Sequence, residues 1–474
     1  MTILHYIFIA LEVILIFNLI IGVHEWGHFL AARWRGLKVE RFAIWFGKPI
    51  WKKKIGDVEY VLGSIPFGGY VSLPQMASME AIEGKTEEAA EKLPNVSPLD
   101  KIIVAFAGPL FSFGLAFIFA CVVWGVGKPN NLEGDTTQIG WTDPSGPAWQ
   151  AGLRAGDIIT EVDGHPVKNF QPTGDLSDSI KWRIITSTGS TIPVKYTRGG
   201  KEMPLAYVVP TNLPTKWYER KSLRQISVAF AEKSVIEQLA SNSPASLAGL
   251  RNGDEIIAIN GTNIYSPVAI SQAEAVTTNA PTEAVVFTIK RGTNQFDKAI
   301  LATKPVSPSD AGPSFGIIEC QGDTNITLYH PNPVDQIETS AGQIFSTFQA
   351  LFAPKSEIGV QQLGGAVMIG RVYANLFQDE QGFRRVLWFS VILNVNLALI
   401  NLLPLPVLDG GHIILSLIEA IRRRPVSIRL LNIVQNGFAI LLITFMVYIA
   451  FFDTGDWIRS ARADHGIPVF AAPK

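Results

Sequence analysis

His24-Glu25-Trp26-Gly27-His28 places two imidazoles four positions apart with a carboxylate beside the first. On a helix, residues i and i+4 stand one turn apart on the same face, so both rings can reach one Zn2+. The glutamate then sits where a general base is needed, beside metal-bound water. Five residues make a short pattern, and the plain alternative is a pair of ordinary helix histidines. Context weighs against that alternative. The motif directly follows Ile3–Val23, an apolar run of the roughly 20 residues that a membrane crossing takes. Ionisable groups at the end of such a run are costly to insert and mark function by default. Histidines neutralised by a metal offset part of that cost.

A catalytic zinc site takes three protein ligands. The third is offered by Asn401-Leu402-Leu403-Pro404-Leu405-Pro406-Val407-Leu408-Asp409-Gly410-Gly411-His412, where Asp409 follows a Pro-broken helix end in a Gly-rich turn. Irregular backbone at membrane depth is tolerated where it lines a polar cavity. Leu-Asp-Gly-Gly alone is a common turn, but at the same depth as His24 and His28 it becomes a ligand position.

The elements that must hold these residues are membrane helices. The chain has 474 residues, a net charge of −1, 17% charged residues and a mean hydropathy of +0.23. That balance gives no reason to expect a nucleic-acid partner and concentrates apolar residues in runs. Beyond the first, the runs are Ile102–Val126, Val386–Leu403 and Leu430–Phe452. The first has neither a basic leader nor a small-residue cleavage site, so it reads as retained. Arg33, Arg35, Lys38, Arg41, Lys48, Lys52, Lys53 and Lys54 follow it, and Arg422, Arg423, Arg424 and Arg429 lie between the last two runs. Basic residues flanking spans stay in the cytoplasm. Both motifs are therefore expected at the cytoplasmic side, with the long segment 127–382 and both termini outside. Arg384 and Arg385 argue weakly the other way. Cys121 and Cys320 have no metal-site spacing, and Cys121 falls in an apolar run, which disfavours a disulfide.

The outer segment contains a duplication. Ser145-Gly146-Pro147-Ala148 leads to Ala151-Gly152-Leu153-Arg154-Ala155-Gly156-Asp157-Ile158-Ile159 and ends at Val162-Asp163-Gly164. Ser243-Pro244-Ala245 leads likewise to Ala248-Gly249-Leu250-Arg251-Asn252-Gly253-Asp254-Glu255-Ile256-Ile257 and ends at Ile259-Asn260-Gly261. Each reads as a short helix, a glycine turn and a β-branched strand closing on a hairpin signal. Val285–Lys290 with Arg291-Gly292 fits a closing strand and turn of the second copy. The pattern resembles the PDZ domain of bacterial envelope proteases, a module that adds a peptide strand to a sheet edge. Rigid spacers that bind nothing remain the alternative.

HExxH in the first run, Asn-x-x-Pro-x-Pro-x-Leu-Asp-Gly after the third and a tandem PDZ-like insert together resemble the site-2 protease family. Within it they are most similar to the bacterial regulator-of-sigma-E type. The resemblance covers the whole chain except about the last twenty residues. It implies a polytopic α-helical membrane protein with four transmembrane helices and two inserted α+β PDZ domains on the periplasmic side of a bacterial inner membrane. It further implies His24, His28 and Asp409 as Zn2+ ligands and Glu25 as catalytic base. Substrates would be single-span proteins such as an anti-sigma factor, and signal-peptide remnants, cut within the lipid bilayer, with the PDZ pair as a size or peptide filter.

Among the amides of the third run, Asn396 and Asn401 match family positions implicated in handling substrate; interhelical hydrogen bonding is the alternative. Asp57–Val61 and Gly69–Ser72 read as two strands of a hairpin in which Gly68 and Gly69 let a substrate backbone approach. A simple turn would serve the same residues. Ser112 stands near where the family often has Asn, after the Ala107-Gly108-Pro109 helix break, and Ala366 where it often has Pro. Domain limits are expected at 1–127 for the first two spans and the hairpin loop, 128–215 and 216–310 for the PDZ domains, 311–382 for an amphipathic connector, 383–453 for the last two spans and 454–474 for a tail. Glu12 has no assigned role. A catalytically idle scaffold that binds partners through its PDZ domains, or a zinc transporter, would be the competing functions. Intact His24, Glu25, His28 and Asp409 oppose the first, and the lack of further membrane carboxylates and histidines opposes the second.

Overall fold

Inside a hydrocarbon layer every backbone N–H and C=O must pair within its own segment, so long apolar runs fold as helices. The computed structural model describes residues 3–76, 96–130, 134–171, 176–277, 283–308, 311–321, 327–354, 356–423, 426, 428–463 and 468–471. Arg424 lies outside them. Two compact units emerge, one of Met1–Pro129, Leu328–Phe345 and Leu363–Thr454, the other of Asn130–Thr327, Ser346–Gln362 and Gly455–Lys474.

The first unit begins with α1 (Ile3–Trp34), which carries the HExxH motif without interruption. Four strands follow: β1 (Arg41–Phe46), β2 (Trp51–Ile55), β3 (Val58–Leu62) and β4 (Ile65–Ser72). Their order in the sheet is β2-β3-β1-β4. The strands expected to form a hairpin are present as β3 and β4 but do not pair with each other. β1 lies between them, parallel to β3 and antiparallel to β4. The reason is local: Phe42 of β1 is buried against Phe29, Val58 and Val71, an apolar centre that a two-stranded hairpin could not supply. Trp45, at φ +72°, donates its indole N–H to Asn18 Oδ1 at 2.5 Å and so pins the sheet to α1.

Next comes α2 (Pro98–Val126). Ser97 caps it by accepting from the Asp100 N–H, and Pro98 occupies the first turn, where a missing N–H costs nothing. α2 packs against α1 and against two later helices, α9 (Gly382–Asn401) and α10 (Asp409–Arg422). Ile20, Leu115, Phe119, Val123 and Val391 form the apolar contact of α1, α2 and α9. α1, α2, α9 and α11 (Ile428–Ala463) are the helices long and apolar enough to cross a membrane among the described residues. Two amphipathic helices, α7 (Pro333–Phe352) and α8 (Ala366–Gln378), precede α9. Asp453 of α11 caps α8 by accepting from the N–H groups of Gly365 and Met368.

The second unit holds the duplicated modules. The first has β5 (Ile139–Thr142), α3 (Pro147–Gln150), β6 (Ile158–Val162), α4 (Ile180–Thr186), β7 (Ile192–Arg198), β8 (Ala206–Val208) and β9 (Val228–Phe230). β6 pairs with β7, β7 with β8, and β9 with β5. The second has β10 (Val235–Leu239), α5 (Pro244–Leu247), β11 (Glu255–Ile259), α6 (Val268–Thr277), β12 (Val285–Arg291), β13 (Asn294–Ile300) and β14 (Ile317–Gln321), with sheet order β13-β12-β11-β10-β14. Each module has its own apolar core, around Ile139, Leu153, Ile159 and Val194 in the first and Ile236, Leu250, Ile256 and Phe287 in the second.

The repeat extends to an ion pair between a buried aspartate and a partly exposed arginine. Arg198 grips Asp157 at 2.6 and 2.8 Å and the Gly152 carbonyl at 2.7 Å. Arg291 grips Asp254 at 2.6 and 2.7 Å and the Gly249 carbonyl at 2.8 Å. Each aspartate also accepts the backbone N–H three residues before it, from Arg154 and Arg251. Burial works against ionised Asp254, yet Arg291 and the Arg251 N–H hold its carboxyl below the usual range.

Candidate metal centre

Two glycines let α1 and α2 meet closely enough to build the site. A Cβ on Gly27 would lie 2.5 Å from the Ala107 carbonyl oxygen, and one on Gly108 would lie 2.2 Å from His28 Nε2. Only hydrogen fits at either place. Asp409 is delivered by an equally tight turn between α9 and α10. A Cβ on Gly410 would fall 2.3 Å from the carbonyl oxygens of Leu402 and Leu403, and one on Gly411 2.1 Å from that of Leu405. The Gly-Gly pair therefore fixes the first turn of α10 against the end of α9.

The result is a triangle of donors. His24 Nε2 lies 3.2 Å from Asp409 Oδ2, His28 Nε2 lies 3.3 Å from Asp409 Oδ1, and the two Nε2 atoms are 3.3 Å apart. All three residues are buried. A tetrahedral ion at about 2.0–2.1 Å from its ligands spaces them about 3.3 Å apart, so the donor set fits zinc in chemistry and in size. Asp409 Oδ2 is buried without a hydrogen-bond partner despite its proximity to His24, which means that the donors converge on a point rather than on one another.

The far nitrogens of both rings are held. His28 Nδ1–H donates to the Val104 carbonyl at 2.8 Å, leaving Nε2 with its lone pair toward the centre. His24 Nδ1 pairs with Ser112 Oγ at 3.0 Å. Ser112 is fully buried and takes part at the site through this bond. Its sequence signal was only its position after Ala107-Gly108-Pro109, where the expected helix break is absent: α2 runs through Pro109 without interruption. Val104, acting through its backbone, left no signal in its side chain.

Glu25 is half-buried beside β4, where a Cβ on Gly69 would lie 3.3 Å from Glu25 Cγ. Gly68, at φ +79°, lies under the Phe46 ring, whose nearest carbon is 1.9 Å from where its Cβ would be. β4 is an edge strand among the described residues, paired only with β1. The structure thus groups Gly69 with Glu25, and Glu25 with His24 and His28. Asn396 and Asn401 stand on α9 and, among the described residues, make no hydrogen bond to the three donors. Asn396 Oδ1 is buried without a partner. Asn394, on the same helix, is fully buried and donates to the Ser390 carbonyl at 2.8 Å.

Protease RseP of Yersinia pestis is 27% identical to this chain over 90% of it and 94% of its own length. Regulator of sigma E protease of Haemophilus influenzae is 26% identical over 92% of this chain and 96% of its own. Regulator of sigma-E protease RseP of Escherichia coli K12 is 26% identical over 90% and 94%. The pattern of peptidase family M50 matches residues 12–445. That span takes in the HExxH part of α1, the Asp409 turn and everything between them, and the chain belongs to peptidase family M50 as a metalloendopeptidase.

Proposed function

We propose that this protein is an intramembrane zinc protease of the site-2 type, with His24, His28 and Asp409 holding Zn2+ and Glu25 acting as base. The observation that carries the reading is the convergence of the three donors between helices whose composition suits a bilayer. An ion held by His24, His28 and Asp409 would supply a Lewis acid and an acidified water, of pKa near about 7. Glu25 accepts the water proton and returns it to the leaving amine. Val104 and Ser112 keep the imidazoles aimed while this happens.

A substrate helix hides its carbonyls in i→i−4 bonds, so it must be extended before it is cut. The open edge of β4, with Gly69 against Glu25, offers strand pairing next to the base. Asn396 and Asn401 would serve the same substrate from α9. The substrates are single-span membrane proteins, an anti-sigma factor and signal-peptide remnants among them; the sigma-E regulators among the relatives support this choice. The two modules are PDZ domains facing the periplasm of an inner-membrane enzyme and exclude bulky outer domains. Support comes from their repeated helix–turn–strand core and from the basic residues after the first span.

Glu25→Gln should retain bound zinc and lose cleavage of a single-span model substrate in proteoliposomes. Unchanged cleavage would end the proposal. Gly69→Leu, which drives a side chain into Glu25, should reduce cleavage roughly a hundredfold at unchanged zinc content. Full activity in that variant would remove β4 from the mechanism.

A further inference from the structure

Pro468–Ala471, near the end of the chain, belong to the same compact unit as the second module. Here Val469 donates its N–H to the Ser307 carbonyl at 2.8 Å and accepts from the N–H groups of Val306 and Ser307 at 2.7 and 3.3 Å. Phe470 is only 6% exposed, although Val469 beside it is 56% exposed. One aromatic ring is thus inserted while its neighbours face out.

The ring's place is made by a missing side chain. Gly316, at φ +76°, immediately precedes β14, and a Cβ there would lie 3.0 Å from Phe470 Cε2 and 2.2 Å from Ser243 Cβ. Ser243 caps α5. The link from β13 to β14 is therefore touched by the tail at Val306, Ser307 and Gly316. Farther along the same link, Glu274 of α6 accepts from Ser314 Oγ at 2.9 Å and from the Phe315 N–H at 2.8 Å.

We propose that the second module carries a peptide-binding site formed by Val306, Ser307, Gly316 and Ser243, and that its resident ligand is the chain's own Val469-Phe470 segment. The ligand class follows from the contacts: an extended peptide pairing through its backbone, with one aromatic side chain buried. The site takes an internal segment, because the chain continues past Phe470 to Lys474. Burying the ring accounts for roughly a tenfold to hundredfold gain in affinity. Attachment through a short linker after α11 supplies an effective concentration on the order of millimolar, so a weak site stays filled in cis. A peptide from another chain binds only by displacing this one.

The test uses hydrogen exchange at Val306 and Ser307 in the chain embedded in nanodiscs, with first-module amides as the control. Ending the chain at Ala463 should speed exchange at both amides at least tenfold. A synthetic peptide of residues 464–474 should restore protection, and the same peptide with Phe470→Ala should need at least tenfold more. Unchanged exchange on shortening, or equal restoration by both peptides, overturns the proposal. Should the shortened chain fail to fold, full-length Phe470→Ala and Phe470→Leu replace it. Protection kept by Leu and lost by Ala supports the site, and equal protection in both overturns it. Cleavage is not a readout, so the outcome is independent of the protease assignment.

Discussion

Asp409 and the paired aspartates Asp157 and Asp254 are all nearly inaccessible, with 6%, 0% and 1% of their surfaces exposed. Their surroundings differ in kind. In the modules each carboxylate faces a guanidinium fork and a backbone N–H, so its charge and lone pairs are satisfied within the chain. Asp409 faces two imidazole nitrogens at 3.2 and 3.3 Å, and one of its oxygens has no hydrogen-bond partner. A buried acid matched to arginine is a finished structural joint. One matched to two inward lone pairs asks for a cation. Burial alone does not separate the two; the identity and aim of the partners do.

The sharpest way to break this contrast is to neutralise each acid. Asp409→Asn should abolish stoichiometric zinc binding, measured by metal analysis of the purified chain, together with all cleavage. Asp254→Asn should leave both intact. Zinc retained at full occupancy in Asp409→Asn would remove Asp409 from the ligand set. Glu25→Gln comes next: cleavage falls about a thousandfold, while zinc stays.

The module joints respond in stability rather than chemistry. Arg291→Ala should destabilise the second module, read as a lower denaturation midpoint with a probe in that module, because it leaves the buried Asp254 carboxylate without its guanidinium partner. Acid probes the same joint. Asp254 is held below its ordinary pKa, so its contribution is complete above the unfolded value of about 3.9 and disappears as pH falls through the lower folded one. Arg291→Ala should flatten that acid limb of the stability curve, and an unchanged limb would locate the acid sensitivity elsewhere. The smallest effect belongs to Ser112→Ala, which frees the outer nitrogen of His24 and should weaken zinc affinity about tenfold. An unaltered zinc titration would make Ser112 a packing residue only.

How much of the fold and site is legible in the sequence follows from how local each signal is. His24, Glu25 and His28 lie within one helical turn, and Asp409 sits in a turn announced by two prolines and two glycines. The long apolar runs mark α1, α2, α9 and α11 through composition. Other features depend on contacts that no short window contains. Gly108 looks like part of a helix break until α1 lies against it. Val104 contributes only a carbonyl. β1 was hidden because Arg41 to Phe46 lies among basic residues counted for orientation, and its two partners come later in the chain. In the modules the repeat shows the helix, turn and first strand, whereas β9 and β14 carry no repeated pattern and lie past residues 215 and 310. Phe470 is one aromatic in a stretch without periodicity.

The uninterrupted length of α1 bears on what a cleavage reaction would leave behind. Glu25 is twenty-two residues along from Ile3, a rise of about 33 Å. The hydrocarbon layer is about 30 Å thick. With Ile3 near one face of that layer, the base would stand near the other, where water arrives without a path through the apolar interior. A bond cut at that level divides a substrate unequally. One product keeps nearly the whole membrane anchor, and the other keeps too few apolar residues to stay and departs into the adjoining aqueous compartment. The position of one turn along one helix would thus make each cleavage a release in a single direction.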